Sequence, residues 1–125
     1  GYYQDEGLLN DIFALDLSKR DTSPAMQSYA DLTEFIIRYP ESEYINAARE
    51  RLIFLRNLIA SSELDGAEYY MKRGAYLAAA NRANYVLKNI PNSTERERAL
   101  RILKEAYKQL GYDGYAEKIS SFEAN

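Results

Sequence analysis

Histidine, cysteine and tryptophan are absent from this chain of 125 residues. Without cysteine there can be no disulfide, thiol nucleophile or thiolate metal site, and no sign of the redox compartment. Without histidine the commonest general base and metal ligand is missing as well. Proline is scarce, with three in all, and no proline or strong stop signal interrupts the run from Ser42 to Gly74. No apolar run approaches the ~20 residues needed to span a bilayer. The opening GYYQDEG has neither a signal peptide nor an initiator methionine, so the sequence reads as a piece of something longer.

What remains is the composition of a globular domain, 46% hydrophobic and 28% charged. A net charge of −3 argues against a general nucleic-acid surface. Residues 1–125 are expected to form one domain.

The stretch Ala67 to Pro91, AEYYMKRGAYLAAANRANYVLKNIP, organises the rest. It reads as the end of one helix, a tight turn at Gly74 and a second helix stopped by Pro91. Ala67-x2-Tyr70, Ala79-x3-Ala83 and the later Pro91 follow the tetratricopeptide pattern. Small residues at 67, 79 and 83 would let two antiparallel helices approach closely. Ala83 stands where the pattern prefers Phe, which predicts a closer and smaller contact there. Such a hairpin cannot bury its apolar face alone and implies neighbours.

Before this hairpin, Leu8, Leu9, Ile12, Phe13 and Leu17 fit a short helix within residues 1–17, in an acidic segment. Ser23-Pro24 predicts a capped helix start, and the helix should run to about Arg38. Met26, Tyr29, Ala30, Leu32, Phe35 and Ile36 would lie on its apolar side. Pro40 and Pro91 are 51 residues apart, well over the ~34 residues of an ordinary repeat. The excess falls in one unusually long helix, roughly residues 43–73, capped by Ser42. Its stripe is Tyr44, Ala48, Leu52, Leu55, Ile59, Ala67 and Tyr70, with a bend expected around Ser61-Ser62-Glu63 and Gly66. The last hairpin, 93–122, opens on a capping box at Thr94-x-x-Glu97 and turns at Gly111, with Ala116 beginning the closing helix. Tyr70, Gly74 and Ala79 recur 37 residues later as Tyr107, Gly111 and Ala116, with Lys104 a mismatch to Ala67. The expected fold is therefore all-α, a tetratricopeptide-type solenoid of helical hairpins with about six helices. Residues 1–40 form an incomplete repeat, 42–91 a central repeat and 93–122 a last hairpin.

Tyr39-Pro40-x-Ser42-x-Tyr44, Arg51-Leu52-x-Phe54-Leu55, Ala67-Glu68-Tyr69-Tyr70, Arg73-Gly74-Ala75-Tyr76 and Asn81-Arg82 together resemble the BamD family of outer-membrane assembly lipoproteins. The resemblance covers roughly residues 15–120 and corresponds to that family's C-terminal half. The long middle helix is a trait of the same family. The resemblance implies five tetratricopeptide repeats, held by a lipid on an N-terminal cysteine at the periplasmic face of the Gram-negative outer membrane. It also implies a non-catalytic scaffold in the machine that folds β-barrel proteins into that membrane. The C-terminal repeats would dock the periplasmic domain of BamA nearest its barrel and contact the accessory lipoproteins BamC and BamE. The lipid-bearing cysteine and the repeats proposed to bind substrate signals match no residue of this chain. Arg82 matches the family arginine that faces an acidic residue of BamA.

Around Arg82, the residues Tyr69, Lys72, Arg73 and Tyr76 could form a surface of rings and cations, a composition typical of binding hot spots. Tyr70 is the expected core member of the Tyr69–Tyr70 pair. The basic helix Arg96, Arg98, Arg101, Lys104, Lys108 has glutamates interleaved, which usually marks a solvated face; if it binds anything, an acidic protein partner fits better than nucleic acid. No cofactor or metal is called for, because phosphate loops, nucleophile elbows and ligand spacings are missing. The pairs Glu41/Glu43 and Glu95/Glu97 suit helix N-termini. Two other readings remain. One is a periplasmic cell-envelope coordinator that binds extended peptides, which regular 34–36-residue repeat spacing would favour. The other is a hydrolase using a glutamate pair, which would require such a pair to face a deep pocket.

Overall fold

The computed structural model describes residues 23–123, and its regular structure is entirely helical. The helices are α1 (Pro24–Arg38), α2 (Ile45–Lys72), α3 (Tyr76–Asn89), α4 (Arg96–Gln109) and α5 (Asp113–Glu123). The helix expected within residues 1–17 lies outside the described residues. The fold is all-α, as the sequence predicts.

Helix α1 begins as its sequence dictates. Ser23 is extended, its Oγ accepts the Met26 N–H at 3.2 Å, and Pro24 occupies the first helical turn. The two proline-bounded ends share one geometry, 51 residues apart. Tyr39 (φ −129°, ψ 58°) and Ile90 (φ −132°, ψ 51°) close their helices by donating to Phe35 and Val86 carbonyls, each at 2.8 Å. The following proline excludes the helical conformation at both positions. Ser42 and Ser93 then donate back to the Tyr39 and Ile90 carbonyls at 3.1 Å each.

This turn corrects two expectations about capping. Ser42 Oγ accepts the Tyr44 N–H at 3.1 Å, and Ser93 Oγ accepts the Glu95 N–H at 3.2 Å. Both hydroxyls thus stabilise the turn before the helix. Helix α2 starts only at Ile45. Helix α4 begins at Arg96 with Glu95 as its N-cap and no side-chain bond from that residue, so Thr94 lies one position before the cap, in the turn.

The 28 residues of α2 stay helical through Ser61–Ser62–Glu63 and Gly66. Close contacts divide the chain into two compact units, Gly1–Ile59 and Ala60–Asn125. In the first unit the described core is Met26, Tyr29 and Thr33 of α1 with Ile45, Ala48, Leu52, Leu55 and Ile59 of α2. Tyr44, expected in this stripe, is 64% exposed. It precedes the first helical residue, and Ile45 takes the inward position.

In the second unit the buried set is Ala60, Leu64 and Ala67 of α2, then Ala79, Ala80, Ala83 and Val86 of α3 and Ile90 just after it. Ala99, Leu100, Ile102, Leu103 and Ala106 of α4 continue it, with Ala116 and Ile119 of α5. Helix α3 packs on α4, and α4 on α5. The run of fully buried alanines removes side-chain bulk and lets these helices approach closely. Each fully buried Leu, Ile or Val adds roughly 1.5–3 kcal/mol of transfer free energy relative to exposure.

Gly74 (φ 74°) and Gly111 (φ 80°) end α2 and α4 in the left-handed region. After Gly74, the Ala75 N–H reaches the Tyr70 carbonyl at 2.9 Å and the Gly74 N–H reaches Met71 at 3.1 Å. After Gly111, Tyr112 reaches Tyr107 at 2.8 Å and Gly111 reaches Lys108 at 3.0 Å. Both are Schellman closures, and only glycine enters them without strain. The 37-residue offset is therefore a repeated turn, with Ala79 and Ala116 buried at matching places. Helix α5 starts three residues earlier than Ala116, at Asp113.

Candidate functional site

The second unit holds a continuous array of cations and rings at the junction of α2 and α3. The Arg73 guanidinium lies over the Tyr69 ring, 5.0 Å from its centroid. Tyr69 meets Tyr70 edge to face, at 5.7 Å and 69°. The Arg82 guanidinium lies over the Tyr70 ring at 5.2 Å. Its Nη1 is 3.5 Å from Glu63 Oε2, with the two side chains 40% and 28% exposed. Glu63, Tyr70 and Tyr69 come from the last turns of α2, Arg73 from the turn after it, and Arg82 from the middle of α3.

Gly66, one turn before Tyr70, forms the floor beneath Arg82. A Cβ built on Gly66 would stand 2.9 Å from Arg82 Nη1 and 3.2 Å from Cζ. The guanidinium thus sits against bare helix backbone, with an aromatic face and a carboxylate beside it. Stacking of this sort contributes ~0.5–1 kcal/mol at an exposed site, and a partly solvated ion pair ~0.2–1 kcal/mol. The gain is modest, but every contact favours the same conformer.

Of the residues singled out from sequence, Tyr69, Arg73 and Arg82 are brought together. Lys72 is exposed and Tyr76 is half-buried at the start of α3; neither takes part in the array's ring and cation contacts among the described residues. Tyr70 is half-buried and not a core residue, because one face of its ring supports Arg82. Glu63 and Gly66 were missed. The sequence marked them only as a polar, helix-weakening interruption.

The basic helix α4 spends part of its charge internally. Arg98 directs Nη2 to Asp65 at 2.7 Å, Nε to Glu68 at 3.0 Å and Nη1 to Glu95 at 3.7 Å. The hydrogen bonds it donates to Glu68 and then to Asp65 raise its pKa above the ordinary arginine value. Lys104 reaches Glu123 at 3.3 Å, which explains a lysine where the repeat offers alanine. Arg96, Arg101 and Lys108 remain exposed.

A second aromatic group surrounds Gly111. Tyr107, Tyr112 and Tyr115 have ring centroids 5.6–6.2 Å apart, and the Lys118 ammonium is 5.9 Å from Tyr115. Of this group the sequence singled out only Tyr107, as the repeat of Tyr70.

The glutamate pairs do not build a reaction centre. Glu41 lines a surface groove of about 520 Å³ with Phe35, Arg38, Tyr39, Pro40 and Ser42, and Glu43 is not among its walls. Glu95 is engaged by Arg98, and Glu97 is exposed. Among the described residues, no group of three or more acidic side chains could hold a metal ion, and no helix is long and apolar enough to cross a membrane.

A family model described as outer membrane lipoprotein, YfiO, matches residues 2–121. The chain belongs to that family. It is 35% identical over 115 residues to the outer membrane protein assembly factor BamD of Vibrio cholerae, a match covering 92% of this chain and 48% of that protein. It is 40% identical over 108 residues to the BamD of Xylella fastidiosa strain Temecula1, covering 86% of this chain and 37% of that protein. With the BamD of Neisseria meningitidis serogroup A it shares 37% identity over 110 residues, 88% of this chain and 41% of that protein. The chain thus spans about half or less of the curated relatives it matches. Their names describe assembly factors and not enzymes.

Proposed function

We propose that this chain is a non-catalytic docking scaffold of the machinery that assembles β-barrel proteins in the outer membrane. Its relatives' names supply the setting, and the Arg73–Tyr69–Tyr70–Arg82 array supplies the surface. The partner is the periplasmic domain of BamA nearest its barrel, with the accessory lipoproteins BamC and BamE as further contacts. The protein works at the periplasmic face of the outer membrane, held there by a lipid on an N-terminal cysteine of the complete protein.

The observation that carries this reading is the state of Arg82. It is held in one place by Tyr70, Gly66 and Glu63, yet its side chain stays 40% exposed. A guanidinium has five N–H donors in a rigid fork, and the contact with Glu63 engages only one nitrogen. The remaining edge can take a carboxylate in a charge-assisted contact. Tyr69, 52% exposed, adds an apolar neighbour with little entropy to lose on binding. Lys72 and Tyr76 belong to the margin of this surface.

Calorimetric titration of the protein with the BamA domain, wild type beside Arg82→Glu, tests the reading. Loss of about 2–5 kcal/mol is expected if the contact is desolvated at the interface, with helical circular dichroism unchanged. Equal binding by both proteins would discard Arg82 as the anchor.

A further inference from the structure

Taking Arg82 as the docking residue, as proposed above, we infer that Gly66 is its positioning residue: the missing side chain on α2 creates the seat in which the guanidinium is presented to a carboxylate partner. Glycine in the interior of a 28-residue helix weakens that helix relative to alanine. Gly66 needs no special backbone conformation, since the positive-φ glycines among the described residues are Gly74 and Gly111. What distinguishes the position is its neighbour. The three heavy atoms nearest to a Cβ built there are Nη1, Cζ and Cδ of Arg82, at 2.9, 3.2 and 3.3 Å.

All three belong to the outer part of a flexible side chain. The closest contacts of an alanine at 66 are therefore relieved by moving the Arg82 side chain. The displaced guanidinium leaves the Tyr70 face and the Glu63 carboxylate, since both contacts are made from the seated position. A partner then meets an arginine spread over several rotamers and must order it on binding, which costs affinity.

The test compares wild type, Gly66→Ala, Arg82→Lys and the double variant. Binding to the BamA domain is measured by calorimetry, thermal midpoints by circular dichroism, and the Arg82 side-chain resonances by NMR of the free protein. Gly66→Ala should keep or raise the thermal midpoint, lose the ring-current shift of the Arg82 side-chain protons and weaken binding about tenfold. In the Arg82→Lys background the same alanine should cost no further affinity, because no guanidinium remains to be displaced.

An unchanged Arg82 resonance in Gly66→Ala would overturn the inference. So would an affinity loss that persists in full beside Arg82→Lys, because alanine would then act through the helix and not through the arginine. If Arg82→Lys and Gly66→Ala both bind like wild type, the docking role of Arg82 fails. The free-protein resonance would still report whether Gly66 seats it.

Discussion

Arg98 of α4 holds Asp65 of α2 at 2.7 Å, joining residues 33 apart in sequence. Its other guanidinium nitrogens reach Glu68 and Glu95. Arg82 makes a similar connection one helix earlier, to Glu63. Glu63, Asp65 and Glu68, beside the buried Leu64 and Ala67 of α2, are therefore where α3 and α4 attach their arginines. The apolar stripe continues through this segment, with a row of acceptors next to it.

Removing the Arg98 connection should cost stability. Arg98→Ala is expected to lower the unfolding free energy by about 1–2 kcal/mol, the sum of several partly solvated charge contacts. Arg98→Lys should recover only part, because a single ammonium cannot serve three carboxylates in fixed directions. Urea unfolding of the three proteins checks this. Because a raised arginine pKa lies beyond the working range, the guanidinium stays charged from neutral to mildly alkaline pH. Its contribution should accordingly be flat over that interval.

Gly74→Ala and Gly111→Ala should each destabilise by about 1–2 kcal/mol through the left-handed backbone alone. Nothing lies within 4 Å of a Cβ added at either position, so no steric term contributes. Gly66→Ala provides the contrast, with an ordinary helical backbone and a neighbour that must move. Thermal unfolding of the three variants separates the two effects.

Ala83 offers a test of the alanine-lined packing of α3. The general repeat pattern has Phe at this place, but Ala83 is fully buried here. Ala83→Phe should destabilise by at least 1–3 kcal/mol through overpacking, although it moves the sequence toward the repeat consensus. An unchanged unfolding midpoint would show that space exists beside Ala83.

Much of this fold was legible because its signals are local. Ser23-Pro24, Pro40, Gly74, Pro91 and Gly111 act on their own backbone, and all five behave as their chemistry requires. The long helix followed from a missing stop signal between Ser42 and Gly74. Local reading failed where a neighbouring element decides. Thr94-x-x-Glu97 has the form of a cap at Thr94, but the turn that Ser93 closes moves the N-cap to Glu95. Tyr70 fits the core position of the pattern, but an arginine from α3 takes one face of its ring. Gly66 could not be understood from α2, because its meaning comes from Arg82. Tyr69 and Arg73 were found by residue type and Arg82 through the family resemblance, and their order in the array came only from the fold.

The most direct measurement is an NMR titration of the isotope-labelled protein with the BamA domain, following backbone amides and arginine side chains together. The account predicts that the largest changes fall on Tyr69, Tyr70, Arg73 and Arg82, with Glu63 and Gly66 moving as the guanidinium gains a second carboxylate. Changes centred on Tyr112, Tyr115 and Lys118, with the Arg82 array silent, would contradict it.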